Sequence, residues 1–388
     1  MSNTLTGLIP TIYNSLDVVS RELIGFIPNV QRDATAESGA VGQTVRSPVV
    51  PAISTENITP GNTPADSGDQ TVGYTDVSIT KSKAAPIRWT GEEQLSVTKD
   101  GVINTILRDQ FAQAFRALAN EVETDIGALY VAASRAYGTA GTTPFGTTDN
   151  MLDMSNANRI LDDNGAPASG RVMIVGSAAR TNLEGKQSQL FKANEAGTDG
   201  LLRSREMRQL MGFTMGYSAG VASHTAGAAY GSSPAYLTDF GSGYSVGDTT
   251  VHLDTGVGTH KAGDVISFAG DDNKYVITTG ATGNGDKDIV LGAPGLRETL
   301  SDGVEATIQN NYTANLFFSQ NSLLLAARQP AMPEGGDDAD DVMSVTDPVS
   351  GLVFQVALYR QYRRVKYEVG LAWGVKCVKP EHCGILLG

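Results

Sequence analysis

Two segments carry the Gly-x-Ser-x-Gly pattern of a serine hydrolase: Gly216–Gly220, centred on Ser218, and Gly243–Gly247, centred on Ser245. In such enzymes the nucleophilic serine lies on a sharp turn between a strand and a helix. No helical period follows Ser218, and Ser245 precedes a β-like run. Chance matches are expected in a chain with 44 glycines. We therefore interpret both segments as loops and predict that the protein is not an enzyme.

Three soft metal ligands, Cys377, His382 and Cys383, lie close together near the C-terminus. A structural zinc site needs four ligands. The chain also has no phosphate-binding Gly-x-x-x-x-Gly-Lys motif and no His-Glu-x-x-His motif. We interpret the two cysteines as reduced, mostly buried thiols, and we predict neither a cofactor nor a metal.

The formal net charge is −13 over 388 residues. This charge argues against binding of nucleic acid through the net field, because phosphate binding needs clustered cations. No basic stretch precedes an apolar run at the N-terminus, and no apolar segment approaches the length of a membrane span. We therefore expect a chain that folds in the cytoplasm, without a signal peptide or a membrane anchor.

The strongest pattern is an amphipathic helix from Val102 to about Arg135, roughly 50 Å long. Apolar residues recur at steps of three and four along one stripe; they are Ile103, Leu107, Phe111, Phe115, Leu118, Val122, Ile126 and Leu129. Thr98 and Asp100 are candidate caps at its start. Such a rod is better suited to a shell subunit than to an enzyme pocket.

The segment before this helix, 43–96, is predicted to form a long hairpin. Its β-like runs are Thr44–Ile53 and Thr71–Ile87. The turn chemistry between them places the tip at Pro60, Gly61, Asn62 and Pro64. Further upstream, residues 1–30 contain a short amphipathic helix, and residues 31–42 look like a flexible arm.

The rest of the chain alternates between mixed and β-rich patterns, so the predicted class is α+β. Residues 151–215 read as mixed α/β, with a buried strand at 172–176 and Ser177 as a helix cap. Five short β-runs then recur between about Ser245 and Gln309, which is typical of a small antiparallel barrel or sandwich. They are Thr250–Leu253, Asp264–Phe268, Tyr275–Thr278, Asp288–Leu291 and Ala306–Ile308. Leu316–Ala327 reads as a helix, and the C-terminus from Leu352 as strands that close the main sheet.

This order of segments resembles a tailed-bacteriophage major capsid protein. The nearest resemblance is to the coat proteins of the short-tailed Salmonella phages, which carry an inserted telokin-like barrel. Three stretches are similar: Leu118–Glu123 in the spine helix, Lys261–Gly270 in the insertion, and Ala372–Val375 with Lys379-Pro380-Glu381 in the closing strands. The insertion is shorter than in that group, and no separate scaffolding segment precedes the arm.

The resemblance implies five parts, which are an N-terminal arm at 1–42, an extended hairpin at 43–96, a peripheral domain at 97–150 and 342–388, an axial domain at 151–222 and 313–341, and the inserted barrel at 223–312. It also implies hexamers and pentamers of this chain in an icosahedral shell around double-stranded DNA. The shell would form in the host cytoplasm on a scaffolding protein encoded elsewhere, with a portal protein. Asp17 is the first candidate contact for a basic scaffolding helix, and Glu22 is the second.

Two charged stretches are further candidates for assembly contacts. The acidic run comprises Asp337, Asp338, Asp340 and Asp341; it lacks the spaced ligands of a calcium loop, which leaves a solvated loop or a contact with a neighbouring subunit. The basic run comprises Arg360, Arg363, Arg364 and Lys366; it is interpreted as a solvated strand face, or as a surface for an acidic neighbour or the packaged genome.

Two other functions remain open at this point. The chain could be a phage decoration or host-binding tail protein whose β-insert is the binding module. It could also be a hydrolase that uses Ser218 or Ser245. The long helix and the large α/β part count against both.

Overall fold

The computed structural model describes residues 25–49, 72–98, 103–187, 209–348 and 350–388, with the single residues Thr55, Asn57, Pro60 and Leu190. The predicted N-terminal helix, Asp17, Glu22, and three of the four hairpin-tip residues lie outside this range. Of the predicted tip only Pro60 is described, and it is exposed.

Four α-helices lie within these residues: α1 Gly91–Thr98, α2 Ile103–Gly127, α3 Leu152–Asp163 and α4 Ser177–Lys186. The described strands up to the barrel are β1 Gln31–Gly39, β2 Thr44–Val49, β3 Gly73–Ser78, β4 Lys81–Thr90, β5 Arg135–Tyr137, β6 Arg171–Val175, β7 Gln209–Leu210, β8 Phe213–Tyr217 and β9 Ser223–His224. Those that follow are β10 Tyr236–Thr238, β11 Thr250–Asp254, β12 Val265–Phe268, β13 Lys274–Thr279, β14 Lys287–Leu291, β15 Glu305–Ile308, β16 Tyr312–Ser319, β17 Leu323–Pro330, β18 Asp341–Thr346, β19 Val353–Gln361, β20 Arg364–Cys377 and β21 Cys383–Leu387.

The first sheet has the order β1-β17-β20-β19-β18, and β4 pairs with the free side of β20. β1 runs parallel to β17, and the other pairs are antiparallel. Helix α2 lies across one face, because its apolar stripe faces the alternating apolar side chains of these strands. Edge-to-face ring contacts join Phe111 to Tyr367 at 5.6 Å and Phe115 to Phe354 at 5.1 Å.

The second sheet carries the order β5-β21-β16-β6-β8-β7 and packs against α3 and α4. β21 is the last strand of the chain and lies between β5 and β16. The prediction that the C-terminus returns to close a central sheet is therefore confirmed. The connection from β6 to the parallel β8 passes through α4.

Six short strands form a closed antiparallel barrel, in the order β12-β15-β10-β11-β14-β13, with β13 pairing back to β12. The five β-runs predicted between Thr250 and Ile308 correspond to β11 through β15. Turn residues flank each short run, which is why sequence alone located them. Residues of the barrel core include Tyr236, Val251, Ile277 and Ile289. The α+β class with an inserted antiparallel barrel is thus confirmed.

The predicted helix at Leu316–Ala327 is wrong. This segment forms the end of β16, a 3-10 turn at Gln320–Ser322, and β17. Its side chains are buried on both faces of two sheets, so the apolar run has no clean period of two. A strand buried on both faces cannot be told from a buried helix by periodicity.

Four further boundaries differ from the prediction. Residues 31–39 of the presumed arm form β1, because they find a parallel partner in β17. The long hairpin is shorter than expected, since β4 pairs with β20 and residues 91–98 are helical. Helix α2 ends at Gly127 rather than Arg135, with a 3-10 turn at Ala128–Ala132. Ser177 is the first residue of α4, whose N-cap is Gly176.

The base of the β2–β3 hairpin packs on the other face of the first sheet. Val77, Leu324 and Ala326 form a small buried cluster there, and the Thr80 backbone N–H donates to the Trp373 carbonyl. This approach requires a glycine at 374, because an added Cβ would lie 1.9 Å from the Ser78 carbonyl oxygen.

We expect Gly374→Ala to lower the free energy of unfolding by about 1–3 kcal/mol, the usual range for overpacking. The matched control is Gly185→Ala in α4, where an added Cβ meets no atom within 4 Å. That change should be neutral or stabilise by about 0.5–1 kcal/mol. Chemical denaturation of both variants measures the difference, and equal midpoints would contradict the close packing.

Candidate functional site

The first Gly-x-Ser-x-Gly segment is a structural junction. Ser218 is 1% exposed and donates its hydroxyl to Glu123 Oε2 at 2.6 Å. The Ser218 Oγ in turn accepts from the Gly220 backbone N–H at 3.0 Å. β8 ends at Tyr217 and a turn follows. The loop interpretation of Ser218 is therefore confirmed, since the strand–serine–helix order of a hydrolase is missing here.

Glu123 is the residue around which this junction forms, and it is 2% exposed. Its Oε1 accepts the backbone N–H groups of Phe26 and Ile27 at 3.0 and 2.9 Å. The carboxylate thereby joins three segments distant in sequence, namely α2, the chain at 25–27 and the loop after β8. One weak sequence signal points to this role, namely an acidic residue next to Val122 on the buried stripe.

Burial raises the pKa of Glu123, and hydrogen bonds from Ile27, Ser218 and Phe26 offset part of this effect. Close backbone packing surrounds the carboxylate. A Cβ on Gly127 would lie 2.2 Å from the Gly220 carbonyl oxygen. The junction is therefore tight as well as polar, and its role is to hold segments together.

Ser245 lies in an exposed turn, where its backbone N–H donates to Asp248 Oδ2 at 2.8 Å. Near the C-terminus, Cys383 is buried and Cys377 half-buried, and both are free thiols. A contact with Cys377 and burial raise the pKa of Cys383, whereas burial lowers the pKa of His382. Among the described residues, no group of three or more His, Cys, Asp or Glu is placed to hold a metal ion.

A buried chain of polar side chains fastens the barrel to the end of α2. The Tyr130 hydroxyl lies 2.9 Å from His224 Nδ1, and His224 Nε2 lies 2.8 Å from Asp264 Oδ1. Burial acts to raise the pKa of Asp264. Hydrogen bonds from His224 and from the backbone N–H groups of Lys261 and Gly227 outweigh it and hold that pKa below its usual value.

A second fastening of the barrel uses a buried arginine. Arg135 is 1% exposed; its guanidinium donates to Asn273 Oδ1 at 2.9 Å and lies 3.2 Å from Asp163 Oδ2. Asn273 belongs to the barrel and Asp163 to α3. Burial lowers the pKa of Arg135, and the ion pair with Asp163 opposes that shift. The barrel is thus held by directional polar contacts in addition to the β13–β5 pairing.

The β2–β3 hairpin exposes much of its apolar surface. Val72 and Tyr74 are 57% and 60% exposed, and only the Val77 end of the hairpin is buried. The Arg46 guanidinium stacks over the Tyr74 ring at 3.6 Å and pairs with Asp76 at 2.9 Å. Among the described residues, β2 and β3 pair only with each other. The hairpin is therefore a projecting element with an uncovered apolar surface.

The two charged stretches lie at one end of the first sheet. Asp337 and Asp340 contact β19 of the same chain: the Tyr359 hydroxyl donates to Asp337 Oδ2 at 2.6 Å, and the Arg360 backbone N–H donates to Asp340 Oδ2 at 2.8 Å. Tyr362 and Arg363 form the turn between β19 and β20, with Arg363 at φ +57°, and Arg364 begins β20. The structure thus brings both predicted charged runs together.

Comparison with protein-family models and with curated protein sequences gave no match. The chain is similar to a solved structure of Mycobacterium phage Che8, with 14% identity over 94% of this chain and 91% of that chain and a TM-score of 0.46. It is similar to the capsid structure of cyanophage P-SCSP1u, with 11% identity, 94% and 88% coverage and a TM-score of 0.48. It is also similar to a virus-like particle from Pyrococcus furiosus, with 9% identity, 97% and 98% coverage and a TM-score of 0.43. No functional residue is transferred from structures at these scores.

We expect Glu123→Ala to lower the free energy of unfolding by about 2–4 kcal/mol, because two backbone N–H groups and the Ser218 hydroxyl lose a buried acceptor. Glu92→Ala is the control, since Glu92 is exposed on α1. Thermal and urea unfolding of the purified chains measure the effect. If both variants lost the same free energy of unfolding, the Glu123 junction would contribute no more to stability than an exposed glutamate.

The raised pKa of Glu123 predicts a pH dependence of its contribution. A group whose pKa is higher in the folded state stabilises most below its usual value, here 4.5, and less as pH rises through the folded-state pKa. The difference in unfolding free energy between the parent and Glu123→Ala should therefore shrink as pH rises above that value. A difference that grew with pH would show that hydrogen bonds to the carboxylate outweigh burial in setting the pKa of Glu123.

Proposed function

We propose that this chain is the major capsid subunit of a tailed bacteriophage, many copies of which form an icosahedral shell around double-stranded DNA. The observation that carries the proposal is the projecting β2–β3 hairpin, whose Val72 and Tyr74 side chains are 57% and 60% exposed. Exposed apolar surface of this kind is typical of a site where proteins interact, and in a shell a neighbouring subunit would bury it.

The architecture supports a different structural role for each part of the chain. We propose that the hairpin within 43–96 laps over an adjacent subunit, with Pro60, Gly61, Asn62 and Pro64 at its tip. The peripheral domain, 97–150 and 342–388, is stiffened by α2 lying across the first sheet. The axial domain, 151–222 and 313–341, lies around the symmetry axes, and 1–42 is the N-terminal arm, with β1 anchored in the first sheet.

The barrel within 223–312 is proposed to act as a brace, as in the Salmonella phage group that the sequence resembles. The polar chain Tyr130–His224–Asp264 and the Arg135–Asn273 contact support this role. Both tie the barrel to the end of α2 and to the second sheet. A unit fastened in this way adds stiffness to its own subunit without requiring a ligand.

Assembly is proposed to proceed in the bacterial cytoplasm through a precursor shell of hexamers and pentamers, built on a scaffolding protein and a portal protein. Asp17 and Glu22 are the proposed scaffold contacts. The net charge of −13 fits a wall that encloses DNA without sequence-specific binding. Among the described residues no helix has the length and apolarity of a membrane span.

Electron microscopy of the purified chain, alone and with a scaffolding partner, tests the proposal. Closed shells in either sample support the proposal, because a closed shell forms when many modest contacts between copies act together. Fibres or isolated trimers would favour a tail or decoration protein instead. Esterase turnover lost in Ser218→Ala would favour an enzyme.

The hairpin makes a specific prediction. We expect Tyr74→Ser to abolish shell formation while changing the free energy of unfolding of the monomer by no more than about 0.5 kcal/mol. Tyr230→Ser on the barrel is the control, since Tyr230 is also exposed, at 48%. Normal particle yield from Tyr74→Ser would remove the proposed overlap with a neighbour.

The scaffold contact is tested separately. Asp17→Lys should block scaffold-dependent assembly through charge repulsion while leaving the monomer folded. Particle counts with and without the scaffolding partner measure assembly, and circular dichroism measures whether the monomer is folded. A normal yield of particles would exclude Asp17 as a scaffold contact.

A further inference from the structure

One end of the first sheet consists of four neighbouring strands in the order β18-β19-β20-β4. Among the described residues, β18 and β4 are the outer strands of this end, which places them about 14 Å apart at the usual strand spacing. Helix α2 covers one face, on the side of Trp89 and Tyr367. Within the described part of the chain, Arg88 and Arg364 on the opposite face and the turn between β19 and β20 are exposed.

The β4 side of this end is cationic. Arg88 lies directly opposite Lys366 in the register, and Arg364 lies on the same face two residues before Lys366. Like charges at opposite positions disfavour strand pairing. Lys366 is compensated by Glu368, but Arg88 is exposed and has no ion pair among the described residues. Ion pairs within the described ranges thus do not fully neutralise this cluster of cations.

The turn next to this cluster carries the most exposed large apolar side chain among the described residues. Tyr362 is 89% exposed, and the Arg363 guanidinium lies 5.7 Å from its ring centroid. We call Arg88, Tyr362, Arg363 and Arg364 the arginine tip. Tyrosine and arginine together are the residue types most enriched where protein interfaces are strongest.

The β18 side is acidic. Asp337 and Asp340 are fixed to β19 by the Tyr359 hydroxyl and the Arg360 backbone N–H, and Asp338 between them is exposed. We call Asp337, Asp338, Asp340 and Asp341 the acidic edge. The hydrogen bond to Asp337, followed by burial, raises the pKa of Tyr359. The acidic edge is therefore held in a defined position.

We infer that the arginine tip of one copy docks on the acidic edge of a second copy, head to tail. This inference deepens the proposed shell function and rests on it. Among the described residues, Arg360 of the same copy contacts the acidic edge, 3.9 Å from Asp340, whereas Arg88, Arg363 and Arg364 make no ion pair with it. The arginine tip and the acidic edge are therefore complementary between two copies. Such a contact uses different surfaces on the two partners and closes a ring when its rotation closes.

The same geometry disfavours DNA as the partner of the arginine tip. The acidic edge lies only three strands away, and the chain as a whole is anionic. Both disfavour a polyanion at the tip, most strongly at low salt, because a separation of about 14 Å exceeds the Debye length of about 10 Å at 0.1 M salt. A second copy presents an acidic surface of matching size without that penalty.

Charge reversal tests the pairing in the full chain. Arg363→Glu and Asp338→Lys should each raise the protein concentration needed for particle formation by about tenfold, through like-charge repulsion. The two changes combined in one chain should return it to within about threefold of the parent. Arg159→Glu on α3 and Asp286→Lys on the barrel are matched controls at exposed positions.

The outcomes separate the inference from the function on which it rests. If the parent forms shells and both reversals assemble like the controls, or if the combined chain does not recover, the docking is overturned and the shell function stands. Loss of DNA retention alone in Arg363→Glu would also overturn it. If the parent never forms shells, the shell function fails.

Cross-linking provides a readout that does not depend on the stability of the charge variants. A chain with Tyr362→Cys is mixed with a chain with Asp338→Cys under assembly conditions, followed by mild oxidation. We expect covalent dimers between the two chains on a non-reducing gel. Arg159→Cys in place of Tyr362→Cys should yield none, and equal yields from both mixtures would overturn the docking.

Discussion

The burial of one stripe of α2 against the first sheet is the interaction on which the rest of the structure depends. Phe111, Phe115 and Val122 are fully buried along it, and burial of each such side chain contributes about 1.5–3 kcal/mol. The same helix carries acidic residues on its flanks. Lys81 of β4 pairs with Glu121 at 2.9 Å and with Asp125 at 2.8 Å. Apolar burial therefore fixes the helix on the sheet, and the flanking charges fix its rotation.

From this helix, buried polar groups set the position of the other parts. Glu123 binds the chain at 26–27 and the loop after β8, while Tyr130, just past the helix, leads through His224 to Asp264 in the barrel. Burying a polar group is costly unless its hydrogen bonds are made, so these contacts are satisfied in only one arrangement. Apolar packing alone would tolerate small shifts between the parts that these polar contacts do not.

Exposed apolar side chains are distributed unevenly over the described residues, in agreement with the proposal that neighbouring copies cover them. The apolar side chains of the β2–β3 hairpin and Tyr362 are exposed, while the interior of the barrel and both sheets is closely packed. The chain thus separates a stable body from a few uncovered elements. Those elements are individually small, which suits an assembly held by many modest contacts.

The sequence by itself determined what local pattern can encode. The stripe of α2, the five barrel runs between 250 and 308 and the returning C-terminal strands were predicted, because periodicity and turn residues mark them. The sequence also identified the charged residues of the candidate contacts. It did not indicate that the Arg360 backbone N–H donates to the Asp340 carboxylate. Two serine motifs were correctly set aside as loops.

Only the tertiary structure decided the elements whose conformation depends on distant partners. Residues 31–39 become a strand because β17 lies beside them. Leu316–Ala327 becomes two strands because other strands pair with both edges of each, while their side chains are buried on both faces. Glu123 gained its role in the same way, from N–H groups almost a hundred residues away in the chain. A single sequence contains the residues that make these contacts, but not the distances that bring them together.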